Sequence, residues 1–156
     1  MNVWADRLGK KDRRAARGFT IVELLIVIVV IGILAAITVV AYNGIQNRAK
    51  DTQTDSSASQ MKKLLEAYAA DNGAYPAVCG GGDNAGCNAE LLAGALVPTY
   101  ASKLPDAYPT GYGVYQYVRG TGGVSYALYL RYYAKANCKT GVNVVSGWWG
   151  AGLATC

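Results

Sequence analysis

Residues 17 to 29 read RGFTIVELLIVIV, and after Arg17 the only ionisable side chain in this run is Glu23. An acid at the centre of a bilayer costs roughly 2.5 to 3.5 kcal/mol on insertion scales. Either Glu23 snorkels from a helix end or an opposite charge offsets it. A second group able to do chemistry is the cysteine set, Cys79, Cys87, Cys138 and Cys156, which lies in Gly- and Asn-rich sequence without a CxxC pair. The chain has no histidine, so a zinc site is not expected. An even cysteine count behind an export-like segment points to two disulfides in an oxidising compartment. Three pairings are open. Neighbour pairing, Cys79 with Cys87 and Cys138 with Cys156, closes two short loops worth about 3 kcal/mol each in the chain-entropy model, and is the expected one.

The third group lies at the C-terminal end. Beyond Asp106 there is no acid, while Arg119, Arg131, Lys135 and Lys139 supply a local +4. Eight of the twelve tyrosines, together with Trp148 and Trp149, share that segment. Cations interleaved with aromatic rings can pair phosphates and stack bases, so DNA or another surface is a conceivable contact. The plainer reading is stronger: tyrosines are good strand residues. Residues 19–106 carry a net −3, so the asymmetry also suits complementarity between copies. Catalysis is not expected. The chain has no GxSxG, no Walker phosphate loop and no paired acids in its C-terminal half. CGGGDNAGC lacks a following GK[ST] and reads as a disulfide loop; Asp83, Glu90 and Asp106 form no calcium-ligand string. No cofactor and no metal are expected.

These groups need elements to hold them. The net charge of +5 is not spread over the chain: residues 1–18 hold six basic and two acidic side chains, leaving only +1 for the remainder. This basic leader precedes an apolar stretch, Phe19 to Ala41, broken only by Thr20, Glu23, Gly32 and Thr38. As a helix, its 23 residues span roughly 35 Å, enough to cross a bilayer with the basic end cytoplasmic. It is too long for an ordinary cleaved secretory signal. No proline follows before Asp71, and the stripe Ala58, Met61, Leu64, Leu65, Tyr68 has helical spacing. Asp71-Asn72-Gly73 supplies a stop. One helix of about 50 residues is predicted, with a polar middle, Asn43 to Ser57, suited to the membrane boundary or a protein assembly.

A short helix is predicted at Asn88 to Leu96, capped by Asn88. Val124, Tyr126, Leu128, Leu130 and Tyr132 alternate with other residues as in a half-buried strand, paired through the turn Gly120 to Gly123 with Val114, Tyr115, Tyr117 and Val118. A third strand is expected around Val142 to Val145. The fold class is α+β: a long N-terminal spine helix, its first half membrane-spanning, packed by its C-terminal half on a small antiparallel β-sheet.

The string RGFTIVELLIVIVVIGILAAI, with Gly18 closing the leader, Phe19 next and Glu23 four positions on, resembles the class III signal of type IV pilins and their relatives. LLEAYAADNGAYP resembles the end of the pilin spine helix, and Cys138 to Cys156 the family's disulfide-bounded C-terminal region. The family often has proline where Val40 stands here. The resemblance implies cleavage between Gly18 and Phe19 by prepilin peptidase, N-methylation of Phe19, and a membrane-held subunit. An inner-membrane platform and its ATPase would then assemble it into a homo-oligomeric helical surface filament. Glu23 would pair with the new amine of Phe19, about 6 Å away along the helix, or with that of a neighbour, fixing axial register. The expected organisation is a cleaved leader at 1–18, a membrane and filament-core half-helix at 19–42, its continuation at 43–73 and a disulfide-bonded head at 74–156. A pseudopilin or minor pilin of a secretion or DNA-uptake machine is the alternative within the family. A membrane-anchored extracellular binding module is the alternative outside it.

Overall fold

The structure is a computed structural model that describes residues 18–106, 116–150 and 152–156. The basic leader before Gly18 and the strand residues expected at Val114 and Tyr115 lie outside the described residues. Helix α1 runs Ile21–Asn72, and the chain divides into two compact units at Val40 and Ala41.

In the first unit every described side chain is exposed, from Phe19 through Val40. Leu, Ile, Val and Ala fill the helix, which is long and apolar enough to cross a membrane. Thr38 Oγ1 donates back to the carbonyls of Leu34 and Ala35, both at 2.9 Å, so its hydroxyl is satisfied within the helix.

In the second unit, the continuation of α1 buries one stripe: Asp51, Thr54, Ser57, Ala58, Met61 and Leu65. The spacing of three and four residues is that of a single helical face. Its apolar end meets the sheet, and burying Met61 and Leu65 stabilises the unit by about 1.5 to 3 kcal/mol each. The polar end lies in Asn43 to Ser57, the segment that the sequence places at a membrane boundary or in an assembly; Asp51, Thr54 and Ser57 are buried inside the unit, while most of the other side chains in that segment are exposed. Asp51 accepts from the backbone N–H of Tyr133 at 2.6 Å and Ala134 at 3.0 Å, and Ser57 Oγ donates to the Asp106 carbonyl at 2.8 Å. The helix ends where expected, with the Gly73 N–H donating to Ala69 O at 2.8 Å in a left-handed cap.

The described strands are β1 (Gly86–Asn88), β2 (Gln116–Arg119), β3 (Tyr126–Leu130) and β4 (Cys138–Val142), ordered β1-β2-β3-β4 with every pairing antiparallel. Between β1 and β2 come a 3-10 turn, Ala89–Leu92, and the short helix α2, Ala93–Leu96, which send Leu92 and Leu96 into the core. Three expectations are corrected. Asn88 precedes this turn but makes no side-chain cap bond, because it is also the last residue of β1. The strand expected near Val142 to Val145 ends at Val142, since Asn143 turns left-handed. Finally, β3 is not half-buried. Tyr126, Leu128 and Leu130 join Met61, Leu65 and Tyr117 on the helix side, while Ala127 packs with Val118 and Trp148 on the other.

The outer face is covered because its cross-strand row Gly86, Val118, Ala127, Gly141 is made of small or slender residues. That row leaves a trough for Trp148.

Candidate functional site

At the N-terminus, Thr20 and Glu23 close a reciprocal pair of bonds. Thr20 N–H and Thr20 Oγ1 both donate to Glu23 Oε2 at 2.8 Å, and Glu23 N–H donates to Thr20 Oγ1 at 3.2 Å. This is a capping box: Thr20 precedes the first helical residue, Ile21, and Glu23 sits at the third helical position. The sequence reading missed it, although a Thr three residues before an acid at the head of an apolar run is its signature. The Thr20 N–H that the carboxylate takes is one residue from the Phe19 nitrogen. A charge created at Phe19 would meet an acid already turned toward the start of the helix. Gly18 and Phe19 are both exposed, Phe19 at 90%.

The four cations singled out in the C-terminal third do not present one open patch. Arg119 pairs with Asp83 at 2.6 Å, and Asp83 also accepts from the Gly122 N–H at 2.8 Å, so the disulfide loop is tied to the β2–β3 turn. Lys135 pairs with Asp55 at 2.9 Å and lies over the Tyr132 ring at 4.0 Å. Arg131 lies over Tyr129 at 5.6 Å. Lys139 corrects the expectation of a surface contact. It is 2% exposed, and its ammonium donates to the carbonyls of Val145 at 3.2 Å, Ser146 at 2.9 Å and Trp148 at 3.2 Å. Without an acid nearby in sequence, three carbonyl dipoles offset its burial and hold the tryptophan loop over the sheet.

Asp55 is pulled below the ordinary aspartate value. Burial alone would raise it, but hydrogen bonds from Tyr132 and Lys135 outweigh that. Burial, then the Glu66 carboxylate bonded at 3.0 Å, pushes the Tyr75 hydroxyl up to about 12. Burial likewise raises Tyr117 and Tyr126. Cys79 is bonded to Cys87 and Cys138 to Cys156, each with Cα atoms 5.4 Å apart. The second bond joins β4 to the C-terminal residue, whose N–H also donates to Lys139 O at 2.9 Å.

Comparison with known proteins centres on the N-terminal segment. The family model for the prokaryotic N-terminal methylation motif matches residues 13–39. Fimbrial protein EcpC of Eikenella corrodens is 38% identical over 65 residues, 42% of each chain. The type IV wide pilus major component PilA4 of Thermus thermophilus is 42% identical over 62 residues, 40% of this chain and 47% of the relative. Type II secretion system core protein G of Escherichia coli is 32% identical over 92 residues, 59% of this chain and 60% of the relative. The chain thus spans less than two thirds of the length of these curated relatives. No solved structure matches it at a significant level. The chain thus carries an N-terminal methylation motif at the head of an exposed apolar helix, with an α+β unit following in sequence, and over part of its length it is similar to type IV pilins and to type II secretion core proteins G.

Proposed function

We propose that this chain is a structural subunit of a type IV pilus-like surface filament. It would be cut between Gly18 and Phe19 by prepilin peptidase, methylated at Phe19, and held in the cytoplasmic membrane by α1. A platform and ATPase machine would then move it into a helical assembly of identical copies. The observation that carries this reading is the pairing of an exposed apolar half-helix with an acid fixed at its first turn. Among the described residues that half-helix has no partner to bury it, and lipid followed by neighbouring helices would do so. In a filament core, a stagger that separates Glu23 from an amine leaves two charges unpaired, which selects one register.

The runner-up is a pseudopilin of a secretion machine. What favours it is the relation to core protein G, which extends over 92 residues in the Escherichia coli protein. Electron microscopy of expressing cells, joined to N-terminal sequencing of the mature chain, separates the two. Surface filaments whose subunits begin with methylated Phe19 are expected. Phe19 at the terminus without surface filaments would favour the pseudopilin. Gly18→Val is expected to retain the eighteen-residue leader and run as a heavier, unprocessed band. Normal processing of that variant would remove the proposed cleavage site.

A further inference from the structure

On the outer side of the sheet, the tryptophan loop leaves a cleft of about 300 Å³ between β1, β2 and the loop itself. Asn84, Gln116 and the indole of Trp149 bound it. From this cleft we infer a binding site for a neutral saccharide, one pyranose ring lying on Trp149 with its hydroxyls on the two side-chain amides.

The first support is the conformation of Trp149. Its φ is +58°, a left-handed backbone that bulky side chains rarely adopt. Such conformations persist where surrounding structure holds them, and they gather at ligand sites. Here the holding groups are visible. The Lys139 ammonium fixes the carbonyl of the preceding residue, Trp148, and Trp148 Nε1 donates to Asn84 Oδ1 at 3.2 Å. The Trp149 indole packs directly over Gly86, where an added Cβ would lie 3.4 Å from Nε1, and beside Tyr129, with centroids 5.7 Å apart. The ring is therefore braced at the edge of the cleft, partly buried against the cluster of Val118, Ala127 and Trp148.

The second support is the chemistry of the walls. Among the described residues, the Gln116 amide and the Trp149 indole N–H have no hydrogen-bond partner. Asn84 is oriented by bonds to Thr121 at 2.8 Å and to Trp148, which leave an amide hydrogen and a lone pair for a ligand. A flat aromatic face beside amides that both donate and accept suits a pyranose, whose C–H face is apolar and whose rim is hydroxyl. The bordering cations are already engaged, Arg119 by Asp83 and Lys139 by carbonyls. The cleft therefore offers stacking without a phosphate partner, which favours a neutral sugar over a nucleic acid. This inference does not depend on whether the chain polymerises.

The test uses the full chain in micelles of a zwitterionic detergent that has no sugar head group. The probes are methyl β-galactopyranoside and methyl β-glucopyranoside. Saturation-transfer NMR should show contact with one C–H face of at least one glycoside, and the Trp149 indole N–H resonance should move saturably with it. Trp149→Gly relieves the backbone and removes the ring, so thermal stability should hold while affinity falls about tenfold. Trp149→Asn, which also tolerates a left-handed backbone, should do the same, and Gln116→Ala should weaken binding severalfold. Absence of transfer from both glycosides at tens of millimolar overturns the proposal, as does transfer that survives in Trp149→Gly and Trp149→Asn. A single-stranded oligonucleotide that moves the indole resonance when neither sugar does would also overturn it, in favour of base stacking.

Discussion

Leu25 and Leu65 lie on the same helix and differ in almost everything else. Leu25 is 55% exposed among other exposed apolar side chains, while Leu65 is fully buried against strands that arrive from 50 and more residues away. The first unit keeps its apolar surface outward; the second covers its own, including polar residues such as Asp51 and Thr54. Residue type therefore says little about burial in this helix until the partner is known.

The sharpest way to break that contrast is at Glu23. Glu23→Val should leave membrane insertion and head stability unchanged while surface filaments fall to a small fraction, as read by electron microscopy and shear fractions. A wild-type yield would end the register role of the carboxylate. Next comes the leucine pair. Leu65→Ala should destabilise the head by about 2 to 5 kcal/mol in thermal unfolding followed by near-UV dichroism of the full chain in detergent. Leu25→Ala should leave that transition where it is and act on assembly alone; equal shifts would mean the units are not separate.

A comparable but smaller loss tests how the head manages without a large core. Replacing Cys138 and Cys156 by serine opens a loop of sequence separation 18, expected to cost about 3 kcal/mol. Alkali should also strike the head alone. Tyr75, Tyr117 and Tyr126 keep their protons when folded to a higher pH than an unfolded tyrosine, which ionises near 10. Above about pH 10 the unfolded chain binds fewer protons, so stability falls with rising pH, by about 1.4 kcal/mol per pH unit for each such group, through about 12 for Tyr75. A head equally stable at pH 8 and pH 11 would contradict this. The smallest effect is expected of Lys135→Ala, about 0 to 1 kcal/mol, because its pair with Asp55 is half-exposed. Asp55 is lowered, so its contribution is complete above an ordinary value of 3.8 and fades as pH falls through the folded value. High salt should erase most of it.

What could be read in advance followed the range of the cause. The apolar run, the stripe Ala58, Met61, Leu64, Leu65, Tyr68 and the stop at Gly73 are local signals; the helix buries Ala58, Met61 and Leu65 of that stripe and packs Leu64 and Tyr68, partly buried, against the same core. The capping box is equally local, but an acid in an apolar run points first to lipid, which masks its pairing with Thr20. Other features depend on distant chain. Asp51 is buried only because the N–H groups of Tyr133 and Ala134 reach it across more than 80 residues. β4 contains Lys139, Thr140 and Gly141, so apolar periodicity pointed instead to the valines after it. β1, three residues long, has no period to read. The outer face looked solvent-facing because the residues that cover it, Val144 and Trp148, come from a loop beyond the last strand.

Lys139 gives that loop a property that its hydrogen bonds alone do not express. Its carbonyls are gathered by a positive charge that belongs to the same chain, so the organising ion has no dissociation constant in the ordinary sense. Chelators, dilution and changes in divalent salt have nothing to remove. The geometry of the Trp148-Trp149 surface is thus set when the chain folds, whatever the mineral composition of the medium around it.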